Sequence, residues 1–198
     1  MSSTAAKAPP QRLIGVIDGT NLKGVLDNLG KTTHINYRQL IIEIGRQIPA
    51  EAGRWRLERV VYVTAPPIQS HDLARYQRWR KFEQLIRGTE RVELRLGRLE
   101  GARDRVYEKG VDILVAIELL AGAYQNRYDF AILISGDGDF ADVARVVREA
   151  QKRIYNAFFE GRHSYELVGA CNGFIDLHTI DWQRLYRAPR PPLTGPRP

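Results

Sequence analysis

The chain has 198 residues, 43% of them hydrophobic and 27% charged. That is the size and balance of one folded domain with a real hydrophobic core, and it argues against a disordered or membrane-spanning chain. A single cysteine, Cys171, excludes an intrachain disulfide scaffold or a thiolate zinc cage. The formal charge of +7 favours a polyanionic partner, nucleic acid first among them, although net charge bears on association and not on fold.

Met1 to Gln11 is small, polar and Pro-containing; it lacks the apolar stretch of a signal peptide and reads as a flexible tail. LIGVID, Leu13 to Asp18, is a short apolar run ending in a polar turn, the pattern of a buried parallel strand. Later runs of the same kind are Leu57 to Ala65, Val92 to Leu99, Phe130 to Ser135 and Arg153 to Phe159. Between them, apolar residues at three-to-four spacing predict helices over Tyr37 to Ile48, Asp72 to Ile86, Val111 to Ala123, Phe140 to Ala150 and Ser164 to Ala170. The stripe Leu73, Tyr76, Trp79, Phe82 or Leu85, and Ile86 is expected to be core, not a base-stacking platform. The chain ends in RAPRPPLTGPRP, a basic Pro-rich segment that cannot pack a core and reads as a second tail, residues 187–198.

Alternation of strand and helix predicts an α/β domain over residues 12–186. Its sheet should be mostly parallel, with helices on both faces and ligands beyond the carboxyl ends of the strands. The longest apolar run, Val111 to Tyr124, contains Glu118 and is too short to span a bilayer, so a cytoplasmic protein is expected. DGTNLKG after the first strand has neither the glycine spacing of a dinucleotide site nor the Lys-Ser/Thr of a P-loop.

Acidic residues collect at these strand ends. Asp18 closes the first strand and Asn21 follows three residues later; both suit a metal crevice, and both suit capping of a turn or helix. After FAILIS comes GDGDFAD, with Asp137, Asp139 and Asp142 within six residues. One helix cap does not need three aspartates. Two carboxylates about 4 Å apart at an effective dielectric of about 20 repel by about 4 kcal/mol, so such a cluster calls for a cation or a proton. The spacing is not that of an EF-hand, and Mg²⁺ or Mn²⁺ suits it better. Asp112 opens the apolar helix that holds Glu118. Six residues at 100° place the two about 120° apart around the helix, which makes Asp112 the better ligand and leaves Glu118 as either a catalytic acid or a buried one paired with Lys109 or an arginine.

VIDGTN, EKGVDILVAIELL and FAILISGDGDF, in that order, resemble the NYN domain, a branch of the PIN-like metal-dependent ribonucleases, over Leu13 to Leu177. The resemblance implies a Rossmann-like three-layer sandwich with the acids gathered at one end. It assigns catalytic and metal-binding roles to Asp18, Asp112, Asp137 and Asp139, with Asn21 in support and Ser135 orienting the loop. Glu118 and Asp142 stand as supporting acids, and Glu118 occupies a position where family members often carry aspartate.

The reaction expected is phosphodiester hydrolysis with Mg²⁺ or Mn²⁺, since His34, His71, His163 and His178 all lie outside the three motifs. RNA would be held by Arg75, Arg78, Arg80, Lys81, Arg103 and Arg105; single-stranded, structured and transfer RNA are all compatible with these residues. A homodimer is compatible but not demanded, and the Pro-rich tail suits a protein partner. The alternative function is a non-catalytic RNA-binding or protein-interaction module on the same fold. An aspartyl-nucleophile phosphatase fits poorly, because its Asp-x-Asp pair should follow the first strand and here follows a late one.

Overall fold

A computed structural model describes residues 9–50, 53–102 and 105–186. The expected tail 187–198, most of the N-terminal one, and Arg103 lie outside the described residues, as does the side chain of Arg105. The strand β1 begins at Gln11, inside the stretch read as a tail.

The elements run β1 (Gln11–Asp18), α1 (Gly19–Asn28), α2 (Tyr37–Gly45), β2 (Trp55–Thr64), α3 (Leu73–Arg87), β3 (Val92–Leu96), β4 (Arg98–Ala102) and β5 (Arg105–Lys109). They continue with α4 (Val111–Tyr124), β6 (Phe130–Ile134), α5 (Ala141–Glu149), β7 (Arg153–Phe158), α6 (Tyr165–Ala170) and β8 (Gly173–Asp176). Six strands form one parallel sheet in the order β3-β2-β1-β6-β7-β8, and β4 and β5 make a separate antiparallel hairpin.

Period-two alternation sorts the strand residues onto two faces. Leu13, Ile17, Val60, Tyr62, Phe130 and Ile132 pack under α1, α2 and the C-terminal segment that holds Leu177, Trp182 and Leu185. Ile14, Val16, Val61, Val63, Ala131 and Leu133 pack against α4, α5 and α6. Both faces are therefore covered, which is why β6 reads as an uninterrupted apolar run. Polar caps set the helix starts: Asp18, Asn36, Asp72 and Ser164 each accept a backbone N–H of the first turn.

At the amino end of the sheet Asp129, just before β6, takes three bonds from Arg12 of β1: the backbone N–H at 2.7 Å, Nε at 3.2 Å and a terminal guanidinium nitrogen at 2.9 Å. The Arg12 guanidinium holds the carboxyl of Asp129 down to about 2. The stability this lends is present above the unfolded carboxyl value and is lost as pH falls from about 4 through about 2. Discounted for the partial exposure of both side chains, it amounts to about 1 kcal/mol. Denaturant melts of the wild type and Asp129→Asn should differ by that much at neutral pH and converge as pH falls to about 2; a gap that persists there would mean that the charge is not what stabilises this corner.

Candidate active site

The strand order reverses between β1 and β6. Crossovers leave in opposite directions there and open a crevice at the carboxyl ends, the usual ligand position in an open α/β sheet. Asp18 ends β1 and Ser135 directly follows β6, so the topology brings the first and third acidic motifs together across 117 residues.

Asp18 is 3% exposed. One carboxylate oxygen accepts the N–H of Asn21 at 3.1 Å, and the other accepts the Ser135 hydroxyl at 3.1 Å. The same hydroxyl accepts the N–H of Asp137 at 3.1 Å, and the Asn21 side-chain oxygen accepts the N–H of Gly136 at 3.0 Å. Asn156, wholly buried on β7, donates to the carbonyl of Ser135 at 2.8 Å. The loop after β6 is thereby tied to the loop after β1 through side chains that accept one bond and donate or support another. Asp137 in turn caps the single 3-10 turn Gly138–Phe140 by accepting the N–H of Asp139 at 3.0 Å.

Two glycines make the crossing tight enough for these bonds. A Cβ on Gly19 would stand 2.2 Å from the Tyr62 ring, and one on Gly136 would stand 2.5 Å from the carbonyl of Arg162. Neither position has room for a side chain.

Burial pushes the Asp18 carboxyl up to about 6; the bonds from Asn21 and Ser135 oppose the shift, and the charges of Asp112 and Glu108 add to it. Asp112, in the first turn of α4, is raised by burial and then by Asp137 and Asp139. Glu108 on β5 is raised by burial and by Asp112, against a hydrogen bond from Thr20. Asp112 thus acts on Asp18 and is acted on by Asp137 and Asp139, while Asn21 of α1 and Ser135 bond Asp18 to the segment after β6.

Glu108 is the residue that sequence reasoning missed. It lies inside a motif that was read for Asp112, and only the β4–β5 hairpin reveals the alternation that leaves Tyr107 and Lys109 exposed and turns Glu108 inward.

Other expected residues fall elsewhere. The carboxylate of Glu118 is held by Arg59 at 2.7 Å and Arg95 at 3.0 Å, while Lys109 pairs with Glu100. Asp142 is exposed on α5 and paired with Arg145. On α3, Arg75, Arg78 and Lys81 are exposed, whereas Arg80 pairs with the buried Glu83 at 2.5 Å. The expected apolar stripe of α3 is core only toward its end: Phe82 packs against the core and Ile86 is buried, but Leu73 is 54% exposed.

Among the described residues, no three acidic, histidine or cysteine side chains stand close enough together to enclose an ion. The donor set is nevertheless of the hard-oxygen kind that suits Mg²⁺ or Mn²⁺. Each bonded carboxylate oxygen of Asp18 and Asp137 also retains a lone pair, and the charges acting on Asp18, Asp112 and Glu108 are those of other carboxylates, a repulsion that a divalent cation relieves.

The NYN domain profile matches residues 14–179. Among solved structures, the crystal structure of a protein of unknown function from Vibrio parahaemolyticus is similar in fold, with a TM-score of 0.64 at 16% identity, covering 89% of this chain and 96% of that one. No curated protein matches the chain. Among the described residues no helix is long and apolar enough to cross a membrane. With three acidic motifs at one switch point of a parallel sheet and the family profile spanning nearly the whole of it, the chain belongs to the NYN domain family, a PIN-like family of nuclease type.

Proposed function

We propose that the protein is a metal-dependent ribonuclease that hydrolyses RNA phosphodiester bonds. The observation that carries this reading is the buried carboxylate of Asp18, fixed by two hydrogen bonds at the sheet's switch point with the charges of Asp112 and Glu108 upon it. A buried carboxylate held this way beside other carboxylates is badly placed for stability and well placed for a metal.

Asp18, Asp112, Asp137 and Asp139 would hold Mg²⁺ or Mn²⁺. When bound, the ion supplies a more acidic water and a positive charge at the scissile phosphate and its leaving oxygen. Asn21 and Ser135 set the carboxylate of Asp18 and the backbone of Asp137, and Asn156 fixes Ser135 from behind. Asp112 and Glu108 are both raised above the ordinary carboxylate range by burial and by neighbouring carboxylates, the direction that sets a general acid or base apart from a surface carboxylate. Arg75, Arg78 and Lys81 on the exposed face of α3 supply positive charge for the strand.

End-labelled single-stranded and hairpin RNAs should be cut by the purified protein with Mg²⁺ or Mn²⁺ and stay intact in chelator. Asp137→Asn should reduce the rate at least about a hundredfold, since even groups that only orient a ligand cost 10–100-fold. Internal fragments would identify endonucleolytic action. RNA that is bound but never cut, with salt-dependent affinity, would replace this reading by a binding module.

A further inference from the structure

Beside the acidic group lies a cavity of about 300 Å³, at the lower end of the range for small-ligand sites. Its walls include His34, Tyr62, Trp79 and Phe82, and Arg75 and Arg78 stand at its edge. His34, Tyr62 and Phe82 form a connected set, with His34 and Phe82 centroids 6.3 Å apart and Tyr62 and Phe82 5.4 Å apart, while Trp79 stands against Tyr76 at 5.8 Å. The guanidinium groups of Arg75 and Arg78 make no ion pair among the described residues. The indole N–H of Trp79 is buried and finds no hydrogen-bond partner among the described residues, an unmet donor of the kind that a ligand or an ordered water satisfies.

The cavity shares a wall with the acidic site. Tyr62 donates its hydroxyl to the carbonyl of Gly19 at 3.2 Å, and the hydroxyls of Thr64 and Thr20 are 3.4 Å apart. Both contacts reach the first turn of α1, the turn that Asp18 caps.

A ligand for this site must offer flat π faces to the rings, an acceptor at its edge for an N–H, and negative charge close by for two arginines. An unpaired nucleobase with its phosphate has all three; a hydrocarbon would leave the indole N–H unsatisfied, and a base inside a duplex has no free face. The geometry points to a subsite for one unpaired nucleobase of the RNA, seated on Trp79 and Phe82 with its phosphate on Arg75 and Arg78, next to the bond offered to the acidic group. This inference rests on the ribonuclease reading and adds to it a preference for single strands.

The test is equilibrium binding in chelator, where nothing is cut. A short fluorescently labelled single-stranded oligoribonucleotide and a duplex of the same sequence are titrated with wild type, Trp79→Ala, Trp79→Phe and the double variant Arg75→Ala/Arg78→Ala. Trp79→Ala should weaken single-strand binding about tenfold and leave duplex binding unchanged, with Trp79→Phe in between because a ring remains to stack while the indole N–H is lost. The double arginine variant, altered only at exposed positions, should lower the salt dependence of single-strand binding by about one to two phosphate contacts.

If Trp79→Ala and the arginine variant both bind the single strand as the wild type does, the cavity is no base subsite, and the nuclease reading still stands on the cleavage assay with Asp137→Asn. If the wild type binds neither RNA in chelator, the base subsite falls, and the nuclease reading is still decided by the cleavage assay with metal.

Discussion

Asp18→Asn should abolish cleavage and, in chelator at neutral pH, make the protein more stable by about 1–2 kcal/mol. The two effects have one cause. Burial holds the carboxyl of Asp18 at about 6 in the folded chain, against about 4 when unfolded. Below about pH 4 the group is neutral in both states and costs nothing; as pH rises toward 6 the unfolded chain releases its proton first, so stability falls and stays low above that. Two pH units correspond to about 3 kcal/mol, of which Asn, as a neutral isostere that still accepts the N–H of Asn21, should recover part. Thermal melts in chelator would show the wild type losing stability between about pH 4 and 6 and the variant not. Adding Mg²⁺ should then raise the wild-type midpoint and leave the variant's unmoved, because a ligand stabilises only the state that binds it. A variant less stable than the wild type under chelator would make Asp18 an ordinary helix cap.

Much of this site could be read before any coordinates because parallel sheets write their topology into the chain. A strand buried on both faces must be apolar along its buried length, as β1 is from Leu13 to Ile17 and β6 is throughout, and the first polar residue after that run marks the end where ligands bind. Asp18 and Ser135 to Asp139 stand at those ends. The expectation that ligands gather beyond the carboxyl ends of a parallel sheet puts these residues at one edge; the order of the strands, and with it the Asp18 to Ser135 bond, comes only from the fold.

Failures occurred where local pattern is weak or where tertiary packing overrides it. The helix α1 went unseen because GTNLKGVLDN carries two glycines and polar residues that disfavour a helix in isolation; burial of Leu22 and Leu26 stabilises it. The run Val92 to Leu99 was taken as one strand but breaks at Gly97, where a Cβ would meet Val111 and the carbonyl of Lys109 within 2.9 Å. That glycine allows the chain to leave the sheet and form the β4–β5 hairpin that delivers Glu108. The α3 stripe misled because this helix covers the sheet edge, where Glu83 and Ile86 are its only buried residues; its aromatic residues are left to line a cavity instead.

Glu118 is where the largest loss of stability is expected. Its side chain, 7% exposed, accepts from Arg59, 18% exposed, and from Arg95, and Arg59 reaches on to Glu93 at 3.1 Å. This network pins α4 to β2 and β3, and α4 carries Asp112 at its first turn. Glu118→Ala should destabilise the protein by about 2–3 kcal/mol, less than a fully buried pair would lose, because it leaves the half-buried charge of Arg59 with only the exposed Glu93 as partner. Arg59→Met combined with Glu118→Leu should restore most of that loss, since two apolar side chains fill the buried space and the charges left without these partners, Glu93 and Arg95, are half exposed to water. The double variant also separates the two roles that Glu118 could have. A brace that is replaced by apolar packing leaves Asp112 where it was, so the folded double variant should keep its Mg²⁺-dependent rise in melting midpoint and its RNA cleavage. A stable double variant that had lost both would show that Glu118 serves the acidic group directly, despite its pairing with Arg59 and Arg95.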